Sequence, residues 1–292
     1  MNYTIKSERY TALISDEGAE LVSLKSAAGE EFIWQGAEGS WNRHAPLLFP
    51  ICGRIKDKSY VYRNQRYNMD AHGFARCSTF DVLSHTESSI TLSLSQNEET
   101  LAIYPFAFTL TATYSLEEGA LTAAFTVKND SGEIMPYMFG WHPGFVLPTA
   151  GGADINDYYI DFAGLESLDL YPLQNGPFAR PYPDAYPLTN GRVLIDEEYL
   201  YSKDTMIFLA HNNSCTLGSD KNNYRVEMSW TDNLPVLAVW KYPRNVDKYL
   251  CLEPWTQMPA DGETEENFET RKMERLEVGK SATYKYSVKV TT

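Results

Sequence analysis

Two short stretches set a proton-transferring side chain beside a proline and large aromatics: Trp141-His142-Pro143-Gly144-Phe145 and, more than a hundred residues later, Leu252-Glu253-Pro254-Trp255. An imidazole and a carboxylate are the usual general acid–base groups, and rings around them suit a sugar, whose C–H face stacks on an aromatic surface. A residue followed by proline is pushed out of the α region into extended backbone, so His142 and Glu253 belong on or at the end of strands. Taken alone, His142 reads equally as a core histidine, and Trp141 and Phe145 as packed core or as a sugar-stacking platform. Glu253 has apolar neighbours on both sides, where an unpaired buried carboxylate is costly; it calls for a function or a partner.

A second cluster runs from Asn42-Arg43-His44 through Phe49-Pro50-Ile51-Cys52-Gly53-Arg54 to His72-Gly73-Phe74-Ala75-Arg76. Arginine forks offer several fixed donors to hydroxyls or a phosphate, and neighbouring glycines let backbone approach a ligand. Arg54 and His72 are the best placed; Arg43 and Arg76 read equally as surface charges. His44, His85 and His211 have no constellation around them and are expected to be structural or surface groups. Metal and nucleophile signatures are missing: the five histidines lack H-x-H, H-x-x-x-H and H-E-x-x-H spacing, and there is no G-x-S-x-G or phosphate-cradling glycine loop.

The elements that must position these groups read as strands almost throughout. Segments 108–114 and 121–127 alternate apolar and hydroxyl or small side chains around Glu117-Glu118-Gly119, which predicts a hairpin of two half-buried strands. Similar pairs flank Arg63-Asn64-Gln65 and Ser88-Ser89, and further strands are predicted at 157–162, 205–211, 224–230, 236–240, 249–252 and 282–290. One helical turn is predicted at 97–101, where acidic residues follow an Asn cap. The segment 170–192 holds five prolines after Leu170 but also Tyr171, Phe178, Tyr182 and Tyr186, and so predicts an ordered excursion packed on a sheet and walling a site rather than a flexible linker. No repeat and no dividing linker stands out.

Composition excludes several classes. The net charge of −14 is scattered, with no basic run for phosphodiesters, so nucleic acid is not an expected partner. No apolar run is long enough to span a membrane, and the first residues lack the apolar core of an export signal, so a cytoplasmic protein is expected. Cys52, Cys77, Cys215 and Cys251 are dispersed in mostly apolar surroundings, which predicts reduced, buried thiols with no disulfide and no zinc site.

Taken in order, the Phe49–Arg54, His72–Arg76, Trp141–Phe145 and Leu252–Trp255 motifs resemble the aldose 1-epimerase (galactose mutarotase) family, in its LacX-like branch. The resemblance spans nearly the whole chain. It implies an all-β fold, a β-supersandwich of two large twisted antiparallel sheets with few short helices, forming a single domain over residues 1–292. It also implies that His142 is the general acid and Glu253 the general base of a ring-opening anomer interconversion that needs no cofactor. By the same matching His72 hydrogen-bonds the sugar near its ring oxygen, Arg54 holds ring hydroxyls, and Arg76 serves either a substrate phosphate or a structural ion pair. Trp141 is a candidate platform, and Asp232, in Trp230-Thr231-Asp232-Asn233, is the candidate for the family's substrate-binding aspartate. This chain has His-Gly-Phe-Ala-Arg where the better-known galactose mutarotases have a histidine followed by glycines, which leaves the sugar open among free hexoses and hexose 6-phosphates. A monomer or weak homodimer acting on a small sugar is expected. The alternatives are a glycoside-processing enzyme, which needs two flanking carboxylates, and a non-catalytic sugar-binding protein on the same scaffold.

Overall fold

Alternation of apolar and hydroxyl side chains builds the longest hairpin, Phe108–Glu117 with Ala120–Asn129, each strand burying every second residue. This computed structural model describes residues 1–117, 119–210, 212–242 and 247–292; Glu118 of the predicted hairpin turn and His211 lie outside the described residues. The hairpin sits inside a nine-stranded antiparallel sheet, between Ser89–Ser95 on one side and the long C-terminal strand Ser281–Thr291 on the other. A second, eight-stranded sheet carries Thr205–Leu209, Val236–Trp240, Tyr249–Trp255 and Gly140–Trp141 as successive neighbours. These are the two large antiparallel sheets expected. A three-stranded sheet of Asn2–Lys6, Tyr10–Ser15 and Leu21–Ser26, not anticipated from the sequence, packs beside them, with the Tyr10 hydroxyl donating to the Val290 carbonyl at 2.9 Å.

The core lies between the two large sheets. Phe125 and Tyr286 of the nine-stranded sheet meet Trp141 of the eight-stranded one with ring centroids 6.1 and 5.3 Å apart, and Phe139 stacks on Tyr284 at 4.8 Å. Tyr249–Trp255 is buried at every position, so both of its faces are covered. One face meets the core; the other carries the cleft. That second face explains why its sequence does not alternate like an ordinary half-exposed strand.

Helices are few among the described residues. Glu98–Ile103 has the predicted Asn97 cap, its side chain accepting from the Thr100 N–H while the Thr100 hydroxyl accepts from the Asn97 N–H. The other, Glu197–Lys203, is capped by Asp196 and leads directly into Thr205–Leu209. The 170–192 excursion is ordered: Leu173–Gln174 pairs with Phe178–Ala179 as a small hairpin, and Asp184–Pro187 closes one edge of the eight-stranded sheet.

Candidate active site

The period of a strand decides which side chains meet. Glu253 pairs with Ala238, and Ala238 in turn with Ile207; on the same rows Trp255 pairs with Val236 and Trp240 with Thr205. Directly paired residues share a face, so Thr205, Ile207, Trp240, Glu253 and Trp255 all line one cleft of about 460 Å³. Trp141 points into the sheet-to-sheet core and His142, one residue on, emerges on the opposite face. There its Nε2 lies 3.1 Å from Glu253 Oε1, and both side chains are almost wholly buried. The two motifs that carry the sequence argument thus converge on one buried acid–base contact.

Aromatic rings enclose it. Trp41 stacks on the His142 imidazole at 4.8 Å and 27°, and Trp240 meets the same imidazole edge-on at 5.4 Å. Gly144 makes this seat: a Cβ there would lie 2.7 Å from the Trp41 ring. The segment bearing Trp41 is tied down by the buried Glu20 carboxylate, which accepts from the His44 and Ala45 N–H groups at 2.7 and 3.0 Å, and by the His142 N–H donating to the Pro46 carbonyl at 3.1 Å.

The N-terminal cluster supplies the remaining polar wall. His72 takes a left-handed backbone, φ 63°, before Gly73 at φ 69°, where a Cβ would collide with the Phe49 carbonyl oxygen at 2.2 Å. Such strain in a non-glycine residue clusters at functional sites. Its Nδ1 accepts from the Gly53 N–H at 3.2 Å, which leaves the ring proton on Nε2 as a donor. Arg54 lines the cleft, is exposed and makes no hydrogen bond or ion pair with the described residues. Arg76 also lines it, donating from Nη2 to the Ala71 carbonyl at 2.8 Å while its buried Nε has no partner. Arg43 does not join them: it is engaged by the Arg76 carbonyl at 2.9 Å, Glu20 at 3.4 Å and Cys77 Sγ at 3.1 Å.

Burial governs the charge states. It pushes the Glu253 carboxyl well above its ordinary range, with the Asp204 carboxylate adding to the effect and the Trp255 indole N–H opposing it. Burial likewise lowers His142 to about 3, with the Arg76 cation pressing in the same direction. His72 is held neutral by burial first, then by His142 and the nearby arginines. Desolvation thus favours the uncharged form of each group, a neutral imidazole beside a protonated carboxyl. Among the described residues, four buried polar atoms of the cleft, His142 Nδ1, Glu253 Oε2, Trp255 Nε1 and Arg76 Nε, close no hydrogen bond of normal geometry, so the Trp255 indole N–H acts on the Glu253 carboxyl from longer range. Buried polar groups are rarely left so, and a cluster of them marks a ligand surface.

Several expectations need correction. Trp141 is no platform: it is fully buried and its indole N–H donates to the Ala45 carbonyl at 2.9 Å. The large aromatic residues that line the cleft are instead Trp41, Trp240, Tyr242 and Trp255. Asp232 is exposed in the turn after Arg225–Trp230 and does not line the cleft. The aspartate that does is Asp204, which sequence reasoning missed. It sits at φ 69° where Glu197–Lys203 ends, and its Oδ1 accepts the Trp240 indole N–H at 2.9 Å. Its one signal in the sequence is a place directly before the strand predicted from 205; the helix Glu197–Lys203 that ends at it was not anticipated. Cys77, expected buried, is exposed, whereas Cys52, Cys215 and Cys251 are buried and all four are free. His142, Cys251 and Glu253 offer ligand atoms within 4.8 Å of one another, the set among the described residues that could hold a metal ion.

Two large antiparallel sheets, with a histidine–glutamate pair buried at the floor of an aromatic-walled cleft, define a galactose mutarotase-like protein. The chain belongs to the aldose 1-epimerase family, whose model matches residues 1–289. It is 30% identical over 264 residues to the plasmid protein LacX of Lactococcus lactis subsp. lactis, covering 88% of each chain. Among solved structures, a galactose mutarotase related enzyme from Lactobacillus acidophilus matches with a TM-score of 0.94 at 35% identity, over 100% of this chain and 98% of that one. A galactose mutarotase-like protein from Lactobacillus casei matches with a TM-score of 0.91 at 30% identity over 100% of both chains.

Proposed function

We propose that this protein is an aldose 1-epimerase that interconverts the α and β anomers of an aldohexose. The observation that carries the proposal is the 3.1 Å contact between His142 Nε2 and Glu253 Oε1 on the cleft floor, with unpartnered polar atoms around it. Moving the shared proton across that contact, from Glu253 to His142, creates an imidazolium and a carboxylate. The imidazolium then protonates the ring oxygen while the carboxylate removes the proton of the anomeric hydroxyl. The bond between C1 and the ring oxygen breaks and the aldehyde forms. The pair is left as neutral imidazole and carboxylic acid, which is the state burial favours, so the open-chain intermediate sits over an uncharged floor. After rotation about C1–C2 the roles reverse and the ring closes on the other face.

The surroundings fit substrate contacts of named kinds. Asp204 can accept from a ring hydroxyl, His72 Nε2–H and Arg54 can donate, and the Trp41, Trp240 and Trp255 rings offer faces or edges to C–H groups. A neutral aldohexose is the preferred substrate in this account, with Arg54 serving hydroxyls. Exchange NMR between α and β anomer signals, run over free aldohexoses and their 6-phosphates, tests it. Acceleration for a neutral aldohexose supports the proposal, and a large preference for the ester, abolished by Arg76→Ala, makes the protein a hexose-6-phosphate epimerase instead.

A further inference from the structure

One buried donor beside the acid–base pair has no part in proton transfer. Cys251 stands two residues before Glu253 on Tyr249–Trp255, so the strand's period turns its thiol to the same face as the carboxyl group. It is fully buried and free, and it pairs with Gly144 on one side and Trp240 on the other. Gly144 leaves the sulfur its space: a Cβ there would lie 3.4 Å from Cys251 Sγ. Cys251 does not line the cleft, so its thiol backs the floor that His142 and Glu253 form.

Thiol, imidazole and carboxyl ligand atoms of these three residues lie within 4.8 Å of one another. Around a tetrahedral zinc ion, with bonds of about 2.0–2.3 Å, ligand atoms sit about 3.3–3.8 Å apart. His142 Nε2 and Glu253 Oε1 are already 3.1 Å apart, so side-chain shifts of about 1 Å close the set on an ion. Glu253 Oε2 and His142 Nδ1 close no hydrogen bond, and each side chain is less than a tenth exposed. Sulfur and imidazole nitrogen favour zinc-like cations over magnesium or calcium, which take oxygen ligands. On binding, one proton leaves the thiol and one leaves the carboxyl. A dication held by thiolate, carboxylate and neutral imidazole then carries no net charge, which suits a buried position. Three protein ligands leave a fourth position open on the cleft side.

We propose that His142, Cys251 and Glu253 form a site for a zinc-like divalent cation, and that the bound ion inhibits the reaction reversibly by occupying the lone pairs through which the pair moves its proton. The inhibition rests on the proton-transfer account of the pair; the site itself does not. Both are tested on chelator-treated, reduced protein carrying Cys77→Ser, which removes the exposed thiol. Cobalt(II) should bind at about one equivalent with thiolate-to-metal charge-transfer absorption, and zinc should displace it. Cys251→Ala should abolish that absorption, and Glu253→Gln should weaken cobalt binding. In exchange NMR of an aldohexose, saturating zinc should slow the rate at least about a hundredfold, the contribution of acid–base groups. A chelator should restore the rate, and magnesium should leave it unchanged. Cys251→Ala should keep its zinc-free rate within about twofold and need at least about a hundredfold more zinc, since even an outer partner of a ligand is worth about 10–100-fold in affinity. No charge-transfer absorption with cobalt, or absorption that survives Cys251→Ala, would overturn the site. A Cys251-dependent cobalt site with an unchanged rate in zinc would overturn the inhibition. If the metal-free protein anomerises no sugar, the epimerase reading fails and the cobalt titration alone decides the site.

Discussion

At the residue scale, the account depends on one proton held between two buried groups. Glu253→Gln keeps shape and hydrogen-bonding reach but removes the base, and His142→Asn removes the acid. Each should lower turnover by about 10²–10⁴-fold while sugar affinity changes much less, as read from progress curves and titrations. The pH profile follows from the directions of the two shifts. The pair takes up a second proton only in the acid range, because burial lowers His142 to about 3, and it loses its single proton only above the raised range of Glu253. The rate should therefore stay flat through pH 6.5, where an ordinary histidine would impose an acid limb, and decline on the alkaline side. Stability carries the same signature. A carboxyl with a raised folded pKa contributes stability that is full below its unfolded value of 4.5 and is lost as pH rises toward the folded one. Glu253→Gln escapes that loss, so its Tm relative to wild type should climb with pH from about 4.5 upward. A difference that is constant with pH would show that Glu253 is not held protonated. Residue types pointed to this pair from the sequence chiefly through Glu253, a carboxylate in an apolar run that is hard to explain as packing, whereas His142 read alone suited a core equally well. They could not name Asp204 or Trp41, whose roles depend on which neighbours the fold brings near; Trp41 stands one residue before the cluster that drew attention.

At the element scale, register does the positioning. His142 and Trp141 were legible as a motif but not as two faces of one strand end, and the period-2 alternation is what sends the indole to the core and the imidazole to the cleft. The predicted strands from 205, 224, 236 and 249 appear where alternation or apolar runs announced them. Strands of two to four residues, such as Gly140–Trp141 and Met135–Tyr137, are too short for periodicity to register. The seat of Trp41 gives an element-level prediction. Gly144→Ala places a methyl 2.7 Å from the Trp41 ring, and overpacking of this kind costs about 1–3 kcal/mol. The expected result is a lower Tm together with a loss of turnover larger than the loss of sugar affinity, since Trp41 holds the imidazole. An unchanged kcat in Gly144→Ala would remove Trp41 from the positioning of His142.

At the scale of the whole molecule, the −14 net charge offers a neutral sugar neither attraction nor repulsion. Its kcat/KM should be insensitive to salt between low and physiological ionic strength, whereas that of a phosphorylated sugar should rise as salt screens the repulsion. The two sheets were foreseeable because long alternating strands dominate the chain, and the cleft's location was not, because it arises where a central strand is covered on both faces. Prolonged chelation should leave activity intact despite the His142, Cys251 and Glu253 ligand atoms lying within 4.8 Å of one another. Activity lost on chelation and restored by a divalent ion would contradict cofactor-free proton transfer. The most direct measurement is polarimetry of a freshly dissolved α-aldohexose at neutral pH, with wild type and Glu253→Gln at equal concentration. The account predicts rapid approach to the equilibrium rotation with wild type and a rate at least about a hundredfold slower with the variant; equal rates, or no acceleration by wild type for any aldohexose or its 6-phosphate, would contradict it.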